Sequence, residues 1–225
     1  MTMTELVFAT RNRHKTAELE AMVARAGVTG VRVYTLDQAA AALALALPPE
    51  VDEDQPTFAG NAIKKARAIA AWSGRPALAD DSGLEVDALG GEPGVYSARW
   101  AEPTWPAGAA HGSREADLAN NAQLIARLAS VPPDRRTARF HCVVALARPG
   151  LEAVLTGDGA CEGHIIDAPR GDGGFGYDPL FFAHELGATF GEAPAAAKQE
   201  VSHRARAMAA LAPQLRALAN PAAFR

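Results

Sequence analysis

Apolar runs broken by polar and glycine-proline punctuation predict strands and helices in turn along the 225-residue chain. "ELVFAT", Glu5 to Thr10, is a short unbroken apolar run of the kind that buried strands show. Leu19, Met22, Val23 and Ala26 then recur at helical spacing, with Asn12 placed as N-cap and Gly27 as the stop. "VRVYT" alternates like a second strand, and "LDQAAAALALALPPEVDEDQP" begins like a helix and ends like a loop. From Thr57, "TFAGNAIKKARAIAAW" puts Ala62, Ile63, Ala66, Ile69 and Ala70 on one helix face, with Lys64, Lys65 and Arg67 mostly off it.

The pattern continues through the second half. "PALAD" and "LEVDAL" read as two short strands, with "GGEPG" as a turn after them. Leu118, Ala122, Ile125 and Ala129 recur at helical spacing and predict a helix from about Glu115 to Ala129. "TARFHCVVALARPG" and "LEAVLTGDGACEGHII" read as two long strands around a Pro149-Gly150 turn, the strongest hairpin signal in the chain. "RGDGGFGYDPLFF" is a glycine-rich loop entering a strand. From about Ala195 the chain reads as a helix with Val201, Ala205, Met208 and Ala209 on one side, interrupted or ended near Pro213. Helices alternating with strands, without internal repeats or low-complexity linkers, predict one α/β domain spanning residues 1–225.

Composition narrows the function classes. A formal net charge of −4 argues against a broad electrostatic grip on nucleic acid or an acidic membrane surface. No apolar run approaches the ~18 residues of a membrane span, and the start lacks the layout of a signal peptide, so a cytoplasmic protein is expected. Cys142 and Cys161 stand nineteen positions apart with no partners at metal spacing, which predicts buried free thiols. Among 22 basic residues only Lys15, Lys64, Lys65 and Lys198 are lysine. Either genome bias left four lysines by chance, or some sites need a compact ammonium rather than a planar fork.

Several stretches have chemical potential, and each also has a plain structural explanation. "TRNRHK" joins a strand to a helix N-terminus and places backbone N–H groups, polar side chains and Lys15 where a phosphate can bind, although alone it fits an ordinary capped helix better. Asp80 and Asp81, adjacent and repelling, read as acids at a strand end and in the following turn, where open α/β sheets present ligands. They suit a hard divalent cation or, equally, a solvated turn; Glu50, Asp52, Glu53 and Asp54 supply further oxygens. In "GGFGYDP" the rings of Phe175 and Tyr177 sit on glycine-rich backbone that can approach a flat ligand or plug a core. "KQEVSHRARA" gathers Lys198, Ser202, His203 and Arg204 as donors near a helix start, a pattern that also fits a solvated helix face. Together these are the parts of a nucleoside triphosphate site.

The segments "ATRNRHK", "TFAGNAIKKARA", "ALADDSGLEVDALGGEPGVYSARWA", "GGFGYDPLFF" and "KQEVSHRARA" stand in the order and spacing of the inosine/xanthosine triphosphate pyrophosphatases, which the chain resembles over nearly its whole length. That resemblance implies an α/β fold with a long mixed central sheet flanked by helices, two lobes with the active-site cleft between them, and a homodimer. It implies hydrolysis of non-standard purine nucleoside triphosphates (ITP, dITP, XTP) to monophosphate and pyrophosphate, with Mg²⁺ or Mn²⁺ as cofactor. By that likeness Thr10, Asn12, Lys15 and Lys65 hold the triphosphate, Glu53 and Asp81 bind the metal, and Asp81 is also the general base. Ser82 adjoins the substrate, while Phe175, Gly176, Tyr177, Asp178, Lys198, His203 and Arg204 hold the base. A small-molecule nucleotide is the expected partner, with neither nucleic acid nor membrane. Two rivals stay open: a pyrophosphatase for a modified pyrimidine triphosphate, and a nucleotide sensor that does not hydrolyse.

Overall fold

A computed structural model describes residues 3–218 except 12 and 26. Among the described residues, seven strands and six α-helices follow the order β1 (Thr4–Phe8), α1 (Arg13–Arg25), β2 (Val31–Tyr34), α2 (Leu36–Ala42), α3 (Phe58–Ser73), β3 (Ala77–Val86), α4 (Arg114–Leu128), β4 (Thr137–Ala147), β5 (Leu155–Ile165), β6 (Phe181–Ala183), β7 (Ala188–Thr189), α5 (Ala195–Val201) and α6 (His203–Leu218). The strands form one sheet in the order β2-β1-β3-β4-β5-β6-β7. It is mixed: β1 pairs in parallel with β2 and β3, whereas β6 pairs antiparallel with β5 and β7.

The chain divides into two compact units. The first comprises residues 1–81, 142–159 and 204–225, and the second residues 82–141 and 160–203. Strands β3, β4 and β5 each contribute residues to both. Each unit has its own apolar cluster. In the first, Leu6 and Phe8 of β1, Leu19 and Met22 of α1, Val144 of β4 and Leu211 and Leu215 of α6 are buried together. In the second, Leu84, Leu124, Phe140, Tyr177, Phe181 and Phe190 are. A fully buried leucine or phenylalanine contributes roughly 1.5–3 kcal/mol, so each cluster can hold its own elements.

Local chemistry explains where the elements begin and end. Thr57 caps α3 by accepting from the Gly60 amide, and Gly74 ends it in the left-handed region at φ 62°. Thr35 and Gln38 form a reciprocal capping box that starts α2. The expected hairpin appears as adjacent β4 and β5, with Gly150 at φ 75° in the turn and the Leu151 amide donating to the Arg148 carbonyl. Cys142 and Cys161 are both buried and not joined in a disulfide.

Four expectations need correction. "PALAD" and "LEVDAL" are not two strands but the single strand β3, so Asp80 and Asp81 lie in mid-strand rather than at a strand end and turn. In α4 the apolar stripe was misassigned: Leu118, Ala122 and Ala129 are exposed, and the buried side carries Ala116, Asn120, Asn121, Leu124 and Leu128. The C-terminal helix breaks at Ser202, whose ψ of 151° is extended, while Pro213 sits inside α6 without ending it. There Ala207, Met208, Leu211 and Ala212 are buried and Ala209 is exposed. Finally, Lys65 lies on the buried face of α3 beside Asn61, with Ile63 only partly covered.

Candidate functional site

Strand β3 runs between β1 and β4 and is buried continuously from Ala77 to Asp81. Successive side chains on a strand point to opposite faces, which is how two neighbouring carboxylates coexist there. Asp80 Oδ2 accepts from Arg204 Nε at 3.1 Å, and Arg204 Nη1 also pairs with Glu18 of α1. Asp81 meets α3 instead: its Oδ2 accepts from Asn61 Nδ2 at 2.9 Å, and its Oδ1 lies 3.6 Å from Lys65 Nζ. The repulsion between them is thereby offset by separate cations.

Lys65 Nζ also donates to Glu53 Oε1 at 2.5 Å, so Glu53 and Asp81 converge on one buried ammonium. Burial alone would lower the pKa of that lysine, but the attraction of Asp81, and then of Glu53 and Asp80, raises it above its ordinary value. Asn61 ties the acidic loop to the strand, since its Oδ1 accepts from the Gln55 amide at 2.9 Å. Asp54 is held by Lys64 at 2.8 Å, and Glu50 by Arg11 at 3.3 Å. Arg11, in the turn after β1, also donates to the Pro48 carbonyl, so the "TRNRHK" turn is fastened to the acidic loop. Thr10 is half-buried at that turn. Asn12 and the side chain of Lys15 lie outside the described residues.

Among the described residues no group of three or more His, Cys, Asp or Glu side chains is placed to hold a metal. Two carboxylates gathered on one cation fit a hard divalent ion that takes its remaining oxygens from phosphate and water.

The second unit holds the other predicted residues. Asp178, 2% exposed, accepts from the Phe175 amide at 2.8 Å and from Lys198 Nζ at 2.6 Å through the same oxygen. The Lys198 ammonium also lies 5.1 Å from the centroid of the half-buried Phe175 ring. Gly174 is needed here: its φ is +76°, and a Cβ would come 1.9 Å from Asp178 Oδ2. Tyr177 is buried, donating its hydroxyl to the Ser97 carbonyl at 3.0 Å, and burial raises its pKa. It therefore plugs the core, the second of the two roles open for that ring. His203 stacks on Phe140 at 4.9 Å between centroids. Ser82 is half-buried in β3, followed by Gly83, where a Cβ would meet Ser97 Oγ at 2.3 Å.

The structure thus gathers Glu53, Lys65 and Asp81 in one unit, and Phe175, Asp178 and Lys198 in the other. Arg204, expected with the base, has Nε and Nη1 engaged by Asp80 and Glu18. Sequence reasoning missed Asn61 and Glu18, which are ordinary helix positions by pattern. Their only sequence signal is a polar residue on an apolar helix face.

The model of the Ham1 family matches residues 6–214, and the chain belongs to that family. It is 48% identical to the dITP/XTP pyrophosphatase of Geobacter sulfurreducens over 209 residues, covering 93% of this chain and 95% of the relative. It is 46% identical to the dITP/XTP pyrophosphatase of Nocardia farcinica, covering 98% of each. Among solved structures, a HAM1 protein from Coxiella burnetii superposes with a TM-score of 0.79 at 34% identity, covering 95% of this chain and 98% of that one. A nucleoside-triphosphatase / dITP/XTP pyrophosphatase from Mycobacterium abscessus gives 0.71 at 39% identity, covering 95% and 100%.

Proposed function

We propose that this protein hydrolyses non-standard purine nucleoside triphosphates, ITP, dITP and XTP, to the monophosphate and pyrophosphate, cleansing the nucleotide pool. The observation that carries this reading is the cluster of buried Lys65 and Asp81 with half-buried Glu53 on a chain 48% identical to a dITP/XTP pyrophosphatase. Two carboxylates and an ammonium held on a strand and a helix suit phosphoryl transfer, which depends mainly on positioning and electrostatics.

In the first unit, Thr10, Asn12, Lys15 and Lys65 receive the triphosphate, and Glu53 and Asp81 hold Mg²⁺ or Mn²⁺. The bound cation would neutralise charge on the phosphate oxygens. Asp81 orients the attacking water and takes its proton, with Asn61 fixing the carboxylate through Oδ2. Water oxygen bonds to the α-phosphorus as the bond to the bridging oxygen breaks, and pyrophosphate leaves with that electron pair. In the second unit, Phe175 stacks on the purine, and Lys198 and His203 donate to its 6-oxo group. An adenine amino group in that place would set donor against donor, so ATP is a poor substrate. Gly176, Tyr177 and Asp178 shape the loop, Ser82 adjoins the substrate, and Arg204 serves by fixing Asp80. The protein acts on free nucleotides as a cytoplasmic homodimer in this reading, and no described helix is long and apolar enough to cross a membrane.

The test is a base panel of ITP, XTP, dITP, GTP, ATP and UTP with Mg²⁺, measuring pyrophosphate and orthophosphate separately. Monophosphate and pyrophosphate from ITP and XTP, with little from ATP, are expected; orthophosphate release or equal use of every base would refute the reading. Asp81→Asn should lower turnover by about 10²–10⁴-fold, the usual weight of a general base, while circular dichroism stays native.

A further inference from the structure

The glycine-rich loop contains a residue whose two backbone polar groups are both held by side chains of one helix. Gly176 sits at φ +60°, in the left-handed region, between Phe175 and the core residue Tyr177. Its amide donates to Asp117 Oδ2 at 2.8 Å, and its carbonyl accepts from Asn121 Nδ2 at 3.0 Å. Asp117 and Asn121 are four residues apart on α4, one turn along the same face. The Gly176 carbonyl needs a donor, which fixes the Asn121 amide with nitrogen toward the loop. Its Oδ1 is then buried without a hydrogen-bond partner among the described residues, on a residue 7% exposed. An amide that leaves one buried acceptor unmade in order to hold a loop carbonyl marks that contact as one the loop depends on.

Two further contacts make the loop a single piece. Asp178 ties the Phe175 amide to Lys198, and the neighbouring Asn120 of α4 accepts from the Ala101 amide at 2.8 Å and reaches the Ser97 carbonyl. That carbonyl also receives the Tyr177 hydroxyl. Helix α4 therefore holds the loop at Gly176, and Lys198 of α5 holds it through Asp178. Phe175 precedes Gly176 in the chain, with its ring beside Lys198.

We infer that Asp117 and Asn121 are positioning residues that clamp Gly176 and so set Phe175 and Lys198 for discrimination among purine bases. This rests on the reading that the loop receives the base. A loop freed at Gly176 samples several ring positions, so it can still stack on a purine but no longer holds the donors at one place on its edge. Binding then weakens more for the 6-oxo purine than for adenine.

The test compares the full-length protein with Asp117→Ala, Asn121→Ala and the conservative Asp117→Asn, whose amide oxygen can still accept from the Gly176 amide. Hydrogen exchange of the 172–178 segment should accelerate about tenfold in both alanine variants, the scale of one lost charge-assisted or buried hydrogen bond, and remain near wild type in Asp117→Asn. Calorimetric binding of IMP and AMP should show the IMP preference falling by a similar factor, about tenfold, in the alanine variants and restored in Asp117→Asn. Unchanged exchange, or faster exchange with the base preference intact, would overturn the clamp. Hydrolysis of ITP by the wild type separates the two ideas. If the wild type binds IMP but cleaves nothing, the pyrophosphatase reading fails and the clamp is still judged by exchange and preference. If it binds neither nucleotide, the clamp's part in base reading fails as well.

Discussion

Lys65 shows how much one side chain can depend on its surroundings. Its ammonium is nearly buried, and it is tolerated there because Glu53 at 2.5 Å and Asp81 at 3.6 Å share it. Replacing it with Met would leave two carboxylates without that cation, and breaking a buried pair in this way costs about 3–5 kcal/mol. The expected result for Lys65→Met is a loss of that size at pH 7 by denaturant unfolding. The pH dependence follows from the direction of the shift. Because the folded-state pKa is raised above 10.5, the charged lysine's stabilisation is whole below that pH and is lost as pH rises through the higher folded value. The difference between wild type and Lys65→Met should thus be flat from pH 7 to about 10 and narrow above it. A difference that already narrows between pH 7 and about 9 would refute a raised lysine pKa.

At the scale of elements, close backbone approach decides which positions tolerate change. Gly157 of β5 faces α6 so closely that a Cβ there would meet the Ala207 carbonyl at 2.2 Å and Leu211 Cβ at 3.1 Å. Backbone cannot move aside as a flexible side chain can, so Gly157→Ala should destabilise by about 1–3 kcal/mol, the usual cost of overpacking. Gly150→Ala provides the contrast. It has open space but a φ of +75°, so its loss is conformational strain at a surface turn. The same elements explain what the sequence made legible. Strands β1, β2, β4 and β5 and helix α1 follow from apolar period because burial there is the work of apolar side chains, and the extent of α3 follows from its cap and its apolar positions although Asn61 and Lys65 share its buried face. The faces of α4 and α6 and the interior of β3 were not legible. On α4 the buried side is lined by Asn120 and Asn121, which hold loop backbone, and in β3 two aspartates occupy core positions with cations drawn from α3 and α6. Periodicity assigns polar residues to the outside, and it fails wherever a buried polar group has a partner distant in sequence. For the same reason the motifs marked Asp81, Lys198 and Asp178 as notable but could not say that Asp178 holds Lys198, or that Tyr177 belongs to the core.

For the molecule as a whole, the charge distribution bears on how an anionic substrate is gathered. The chain carries a formal net charge of −4, and among the described residues three cations of the candidate site are paired with carboxylates: Lys65 with Glu53 and Asp81, Lys198 with Asp178, and Arg204 with Asp80 and Glu18. A nucleoside triphosphate therefore approaches without a broad attractive field, and its binding comes from short contacts that act inside the Debye length of about 10 Å at 0.1 M salt. Capture by a positive surface has a different signature, since proteins that grip nucleic acid through many phosphate contacts lose roughly 10³–10⁵ in affinity between 50 and 200 mM salt. For this protein, kcat/KM for ITP at constant saturating free Mg²⁺ should change by less than about threefold when inert salt is raised over the same interval, because contacts made inside the Debye length are little screened and no broad attractive field is present to be lost. The measurement is a salt series with a large inert ion pair such as choline chloride. A fall beyond tenfold would mean that a concentrated positive field collects the substrate. The local pairing of Lys65, Lys198 and Arg204 with carboxylates would then have to open before the triphosphate arrives.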